Sequence, residues 1–261
     1  MKLTVFASGS GGNCLLLSGG GSNILIDAGI STRRLTGLLA TCGLTLQDIG
    51  GVLITHEHSD HVSGLKTMLG RCDCMICAPH TVASRLMGQL PSCEERLRLI
   101  PVGEDFSLGR LKVKAFHTPH DTDESVGYRV EYDAIFALAT DMGCVTEEVR
   151  NGLHGADTVL IEANHDEEML RYGRYPASLK RRILSDHGHL SNRNCALLAR
   201  ELVSAGTRTV ILGHLSRENN TPETARRTVQ AALEGTEAKL LVAPELGCLE
   251  VKVERACLPL N

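Results

Sequence analysis

The chain has 261 residues, 43% apolar and 22% charged, a balance ordinary for a folded globular protein and enough for one large core. A formal net charge of −4 excludes a global field for nucleic acid, so a surface for such a partner has to be a local patch. Four Tyr, four Phe and no Trp argue against stacked aromatics as the main binding device.

In chain order, strand-like segments at 3–8, 14–17 and 23–27 are separated by SGSGGN and GGG turns, a hairpin-rich beginning. Ser31 supplies the N-cap of a helix ending near Gly43. A brief apolar strand at 52–55 runs straight into His56-Glu57-His58-Ser59-Asp60-His61, and helices at 62–70 and 81–90 flank a strand at 75–78. Strands follow at 112–116, 126–131 and 134–139, the last ending in Thr140-Asp141. Thr146 caps a helix, a strand at 159–161 ends in Glu162, and a helix covers 194–203. A strand at 209–212 leads to Gly213-His214, and Thr221-Pro222-Glu223 has the cap, proline and acidic first turn of a helix start. Strands at 239–242 and 248–253 close the chain.

This alternation, without a linker-like boundary, predicts one α/β domain over 1–261, built of two sheets covered by helices. The apolar run at 3–7 is too short for a secretory signal core, and no run approaches the roughly 18 residues of a membrane span. The expectation is a cytoplasmic protein with reduced thiols and no membrane partner. Cys72, Cys74 and Cys77 cluster, but one CxxC without a second pair reads as buried cysteines near a strand.

Polar residues fall at strand ends. His56, His120, Asp141, Glu162 and His214 each sit just after a predicted strand, and strands sharing one rim would gather them. In His56-x-His58-x-Asp60-His61, alternate residues of an extended loop can point one way, and four ligands so close could serve two ions. Imidazole and carboxylate donors suit zinc, manganese or iron.

These residues resemble the metallo-β-lactamase superfamily, whose signature is HxHxDH after a strand. The resemblance covers nearly the whole chain: His120 in TPHDTDESVGYRV, Asp141 in LATDMG and His214 in ILGHLSREN match its later ligand positions in order. It implies an αβ/βα four-layer sandwich, two mixed β-sheets covered by helices, with two divalent metals at one rim. Carried over, His56, His58 and His120 hold the first metal, Asp60, His61 and His214 the second, and Asp141 both. His117 competes with His120, which has the Ser-x-Gly-Tyr context behind it. His80 and His154 read as surface histidines, and His165 lies close enough to Glu162 to contact substrate or metal.

Two ions roughly 3.5–4 Å apart supply hydroxide at neutral pH, which fits hydrolysis of a phosphodiester, thioester, lactone or β-lactam. Oxygen-reducing di-iron members of the superfamily carry Glu where this chain has His58, so a hydrolase is expected. In its phosphodiesterase branches a Glu after a late strand and a following His are thought to protonate the leaving oxygen. VLIEANHD supplies Glu162 and LSDHGHLSN supplies His189, placing both with Asp60 in the predicted catalytic set. His187 and His189 could also merely decorate a helix start capped by Ser191. Arg174, Lys180, Arg181, Arg182 and Arg193 form a local basic run, readable as a phosphate surface or a solvated helix face. Arg174, His187 and Arg193, with His165, Ser216 and Arg217, are the candidate substrate contacts.

The whole-chain pattern of SGSGGNC, LxTHxHxDHxxGL, IEANHDxxML, SDxGHLSN and LGHLSREN is most similar to the bacterial WalJ/YycJ group. That group is regarded as nuclease-like, with DNA exonuclease activity and repair as its proposed roles. Tyr128 and Asp141 lie too close for the gripping arm of the tRNA-processing enzymes, and the stretch from Asp141 to His214 has no room for the extra domain of RNase J. The expectation is a binuclear phosphodiesterase, a DNA exonuclease using zinc or manganese, with iron as a further candidate. DNA is favoured over RNA as partner. A thioester or lactone hydrolase of the glyoxalase II kind, an RNA-directed phosphodiesterase, and a regulatory protein with a structural metal site remain as alternatives.

Overall fold

A computed structural model describes residues 1–255; residues 256–261, the end of the predicted domain, lie outside the described residues. The first half carries strands β1 (Lys2–Ala7), β2 (Cys14–Gly19), β3 (Ser22–Ile26), β4 (Gly51–Leu53), β5 (Met75–Ala78) and β6 (Leu97–Leu99). Helices α1 (Thr32–Thr41), α2 (Ser59–Val62), α3 (Leu65–Leu69) and α4 (His80–Gln89) lie between them. The second half carries β7 (Asp105–Leu108), β8 (Leu111–His117), β9 (Val126–Glu131), β10 (Ile135–Ala139), α5 (Glu147–Leu153) and β11 (Thr158–Glu162). It continues with α6 (Glu167–Tyr172), α7 (Ala177–Ile183), α8 (Asn192–Ser204), β12 (Thr209–Gly213), α9 (Pro222–Ala232), β13 (Lys239–Val242) and β14 (Leu249–Lys252).

Two seven-stranded mixed sheets result, in the orders β14-β1-β2-β3-β4-β5-β6 and β13-β12-β11-β10-β9-β8-β7. The sequence explains why they stack as the inner layers of a four-layer αβ/βα sandwich. Strands buried on both faces are apolar throughout, and alternate residues serve different cores. On β2 and β3, Leu15, Leu17, Ile24 and Ile26 enter the core between the sheets, where they meet Tyr128, Phe136, Leu138, Leu160 and Ile211. Leu16 and Leu25 turn outward under Leu35, Leu39 and Val82 of α1 and α4. Ala137, Val159, Ile161 and Val210 turn outward on the second sheet under α5, α8 and α9.

The helix predicted at 62–70 is the shorter α3, and a separate helical turn, α2, precedes it. Ser63 and Gly64 separate α2 from α3, so Asp60 and His61 stand on a helical turn, and only the run from His56 to His58 is the extended loop expected of the whole motif. Close backbone approach forces the break: the Gly64 amide donates to the Ala28 carbonyl at 2.8 Å, and Ala28 N–H donates to the His61 carbonyl at 2.8 Å. A side chain on Gly29 would overlap the Asp60 carbonyl, so glycine there lets the 27–30 loop lie against α2. β6, β7, α6 and α7 are additions to the predicted elements. β6 and β7 are short, half-exposed strands at the outer ends of their sheets, where no apolar run marks them. Among the described residues, no helix is long and apolar enough to cross a membrane.

Candidate active site

β4, β10, β11 and β12 all run parallel to a neighbouring strand, and their carboxyl ends share one rim. Ligand sites of α/β sheets form at such ends, because the loops leaving parallel strands converge there. His56, Asp141 and His214 follow three of these strands and Glu162 ends the fourth; His120 follows β8. Among the described residues, three non-glycines have left-handed backbones: Asp27 (φ 58°), Asp141 (φ 55°) and His214 (φ 54°). Each lies one or two residues beyond a strand at this rim, and unfavourable backbone of this kind concentrates at functional sites.

The ligand atoms of His56, His58 and His120 lie within 4.8 Å of one another, as do those of Asp60, His61 and His214. Asp141 stands between the trios: its Oδ2 is 3.3 Å from His61 Nε2, and its Oδ1 is 3.4 Å from His214 Nε2 and 3.8 Å from His120 Nε2. His117 points elsewhere, its exposed ring 3.0 Å from Glu148. His80 and His154 are exposed.

Three of the candidate ligands, His61, His120 and His214, are held by their other ring nitrogen. His61 Nδ1 donates to Asp27 Oδ2 at 2.7 Å, and Thr55 N–H donates to Asp27 Oδ1 at 2.9 Å. His120 Nδ1 donates to the Gly188 carbonyl at 3.3 Å, and His214 Nδ1 to Glu162 Oε1 at 3.0 Å. Such outer partners fix the tautomer and aim the free nitrogen at a metal. Burial opposes charge on His61, but the carboxylates of Asp27 and Asp141 outweigh it and hold the imidazole up at about 10. Burial pushes His56 down, and the neighbouring His61 charge adds to this. Burial alone would raise the Asp141 carboxyl; His214, His61, His56 and His120 instead hold it well below the usual carboxylate range.

A metal fits this set. His56 Nε2, His214 Nε2 and Asp141 Oδ2 are buried in the cluster without a hydrogen-bond partner. Each such atom costs about 1–3 kcal/mol unless something else satisfies it. Imidazole and carboxylate donors converging this way suit zinc, manganese or iron.

Glu162 is fully buried and accepts from both sides. Its Oε1 receives His189 Nδ1 at 2.7 Å as well as His214, and its Oε2 receives the amides of Met142 at 2.9 Å and Leu190 at 3.2 Å. Burial would raise its carboxyl, but the two imidazoles bring it down to about 2. Burial would lower His189, and the Glu162 carboxylate reverses this, raising the imidazole above its ordinary value. His189 is partly exposed and, with His214 and Ser216, lines a 180 Å³ cavity. Larger clefts of 720, 630, 570 and 320 Å³ are lined by none of the predicted site residues.

The remaining predicted contacts spread out. His165 is buried beneath the site with both ring nitrogens unpartnered, and burial lowers its pKa. His187, Arg174 and Arg193 are exposed and outside the cavity lining, and Arg217 is paired with Glu245. Sequence reasoning missed Asp27, Thr55 and Asn13, whose Nδ2 lies 3.0 Å from His61 Nε2. A signal existed for Asp27, since the apolar run Ile24–Leu25–Ile26 ends in a carboxylate at the same rim. Asp27→Asn is expected to lower metal affinity about 10- to 100-fold with the fold retained, measured by competition with a chromophoric chelator.

The model of the beta-lactamase superfamily domain matches residues 22–215. This chain belongs to that superfamily. Among superfamily members, it is 37% identical over 238 residues to exodeoxyribonuclease YycJ of Bacillus anthracis, covering 90% of this chain and 89% of the relative. It is 36% identical over 234 residues to exodeoxyribonuclease WalJ of Streptococcus pneumoniae, covering 87% and 86%. The superfamily fold is shared with zinc-bound PqqB from Methylobacterium extorquens, at 17% identity and a TM-score of 0.72, over 95% of this chain and 99% of that one.

Proposed function

We propose that this hydrolase is a binuclear metal-dependent phosphodiesterase that removes nucleotides from DNA ends, with a place in DNA repair. The observation that carries the reading is the Glu162–His189 pair, 2.7 Å apart, set between the ligand cluster and the cavity. A thioester releases a thiolate, which needs no such acid, whereas an alkoxide leaving from phosphate does. The names of the 36–37% identical relatives, both exodeoxyribonucleases, support the same choice.

In this reading His56, His58 and His120 hold one ion, Asp60, His61 and His214 the other, and Asp141 both. When bound, two zinc or manganese ions would supply hydroxide at neutral pH and neutralise charge on the phosphate. The protein's own groups do the rest. Glu162 accepts the Nδ1 proton of His189, which leaves Nε2 as the nitrogen that gives its proton to the leaving oxygen. Ser216 lines the cavity and is placed to donate to a phosphate oxygen.

Chelator-stripped protein is expected to lose hydrolysis of bis-p-nitrophenyl phosphate, and added manganese or zinc to restore it fully only at two equivalents per chain. Full activity at one equivalent would contradict the binuclear assignment.

A further inference from the structure

The segment from Arg171 to Arg182 holds two of the chain's four tyrosines among five basic residues. Two of those cations are already engaged. Lys180 Nζ donates to the carbonyls of Arg171 and Gly173 at 2.8 and 2.7 Å, closing the turn between α6 and α7, and Arg182 pairs with Asp121 beside His120. Arg171, Arg174 and Arg181 are exposed and, among the described residues, have no acidic partner. Tyr175 is half-buried and, with Leu179, Ile183 and the Asp121–Arg182 pair, lines the 180 Å³ cavity that His189 and His214 also line. Aromatic and aliphatic side chains thus share one cavity with His189, with unpaired guanidinium groups on the segment that carries them.

We infer that Tyr175 is a specificity residue: it stacks on one unpaired base next to the scissile phosphate, while Arg171, Arg174 and Arg181 hold phosphates of the same strand. The substrate is then a single-stranded end. This rests on the phosphodiesterase reading above. At 180 Å³ the cavity is below the roughly 300–1,000 Å³ of sites that enclose a whole small molecule, so it takes one ring system and not a base pair. One stacking ring is compatible with a chain poor in aromatics, and it tolerates any sequence because every base has a π-face. Exposed arginines with free donors meet phosphate bidentately, which Lys180 and Arg182, already engaged, do not.

The test compares KM for an oligothymidylate with KM for the same strand carrying abasic sugars at its terminal positions, using the full metal-loaded chain. Stacking of about 1–3 kcal/mol predicts that the native protein prefers the base-bearing strand about 5- to 150-fold. Tyr175→Ala should bring that ratio to near one and Tyr175→Phe should keep it; an unfolded variant could not produce this contrast. Equal KM for both strands in the native protein, or an unchanged ratio in Tyr175→Ala, overturns the inference. Methyl p-nitrophenyl phosphate separates the two levels. Hydrolysis of this ester without preference for base-bearing DNA overturns the stacking subsite alone, whereas no hydrolysis of ester or DNA overturns the phosphodiesterase reading and the subsite with it.

Discussion

Asp141→Ala is expected to strip the protein of metal and lower diester hydrolysis by at least about 10³-fold. Its carboxylate reaches both trios, with Oδ2 toward His61 and Oδ1 toward His214 and His120. Neither nearby carboxylate reaches both trios as Asp141 does: Asp60 approaches His61 and His214, and Asp121 approaches His120. Its loss also removes negative charge that faces His56, His61, His120 and His214 together, so the cluster attracts metal cations less strongly. Because Asp141 occupies a left-handed backbone at the end of β10, alanine there adds strain in place of an electrostatic anchor. Metal content by plasma emission and kcat/KM on bis-p-nitrophenyl phosphate are the readouts, with circular dichroism to establish folding. A folded variant retaining both metal equivalents would show that Asp141 is not the shared ligand.

His189→Ala should separate metal binding from proton transfer. Loss of a positioned acid costs about 10²–10⁴-fold, and that loss should appear on DNA, whose leaving group is an alcohol. It should be much smaller on p-nitrophenyl esters, because p-nitrophenolate leaves without needing a proton. The surroundings tolerate the substitution: Glu162 keeps His214 Nδ1 and the amides of Met142 and Leu190. Metal content should therefore be unchanged. One competing arrangement exists, since the ligand atoms of Asp141, Glu162, His189 and His214 also lie within 4.8 Å of one another. If His189→Ala loses metal, or slows both classes of ester equally, His189 belongs with the ligands and not with the leaving group.

The rim was legible because its chemistry is local to each strand. An apolar run followed by His, Asp or Glu marks both the strand and the direction it delivers its last side chain, which placed His56, Asp141, Glu162 and His214 correctly at one edge. What supports them was less legible, because it comes from distant segments. Asp27 is 34 positions from the His61 it orients, and Gly188 is 68 from His120, and spacing carries no sign of either. The short α6 and α7 were invisible for another reason. With six and seven residues they lack the two or three turns over which a helical period shows, and their basic side chains read equally well as a loop. The second half of the His56–His61 run differs from the expected extended loop for the same reason, since the candidate ligands Asp60 and His61 stand on α2, whose four residues are too few to show a period.

Whether the cluster and the Glu162–His189 pair together cleave phosphodiesters is decided by offering the metal-loaded protein end-labelled single-stranded DNA, double-stranded DNA, RNA and a glutathione thioester side by side. Metal-dependent release of mononucleotides from DNA is expected, with single-stranded ends cut best and the thioester left intact; cleavage of the thioester alone would overturn the phosphodiesterase reading.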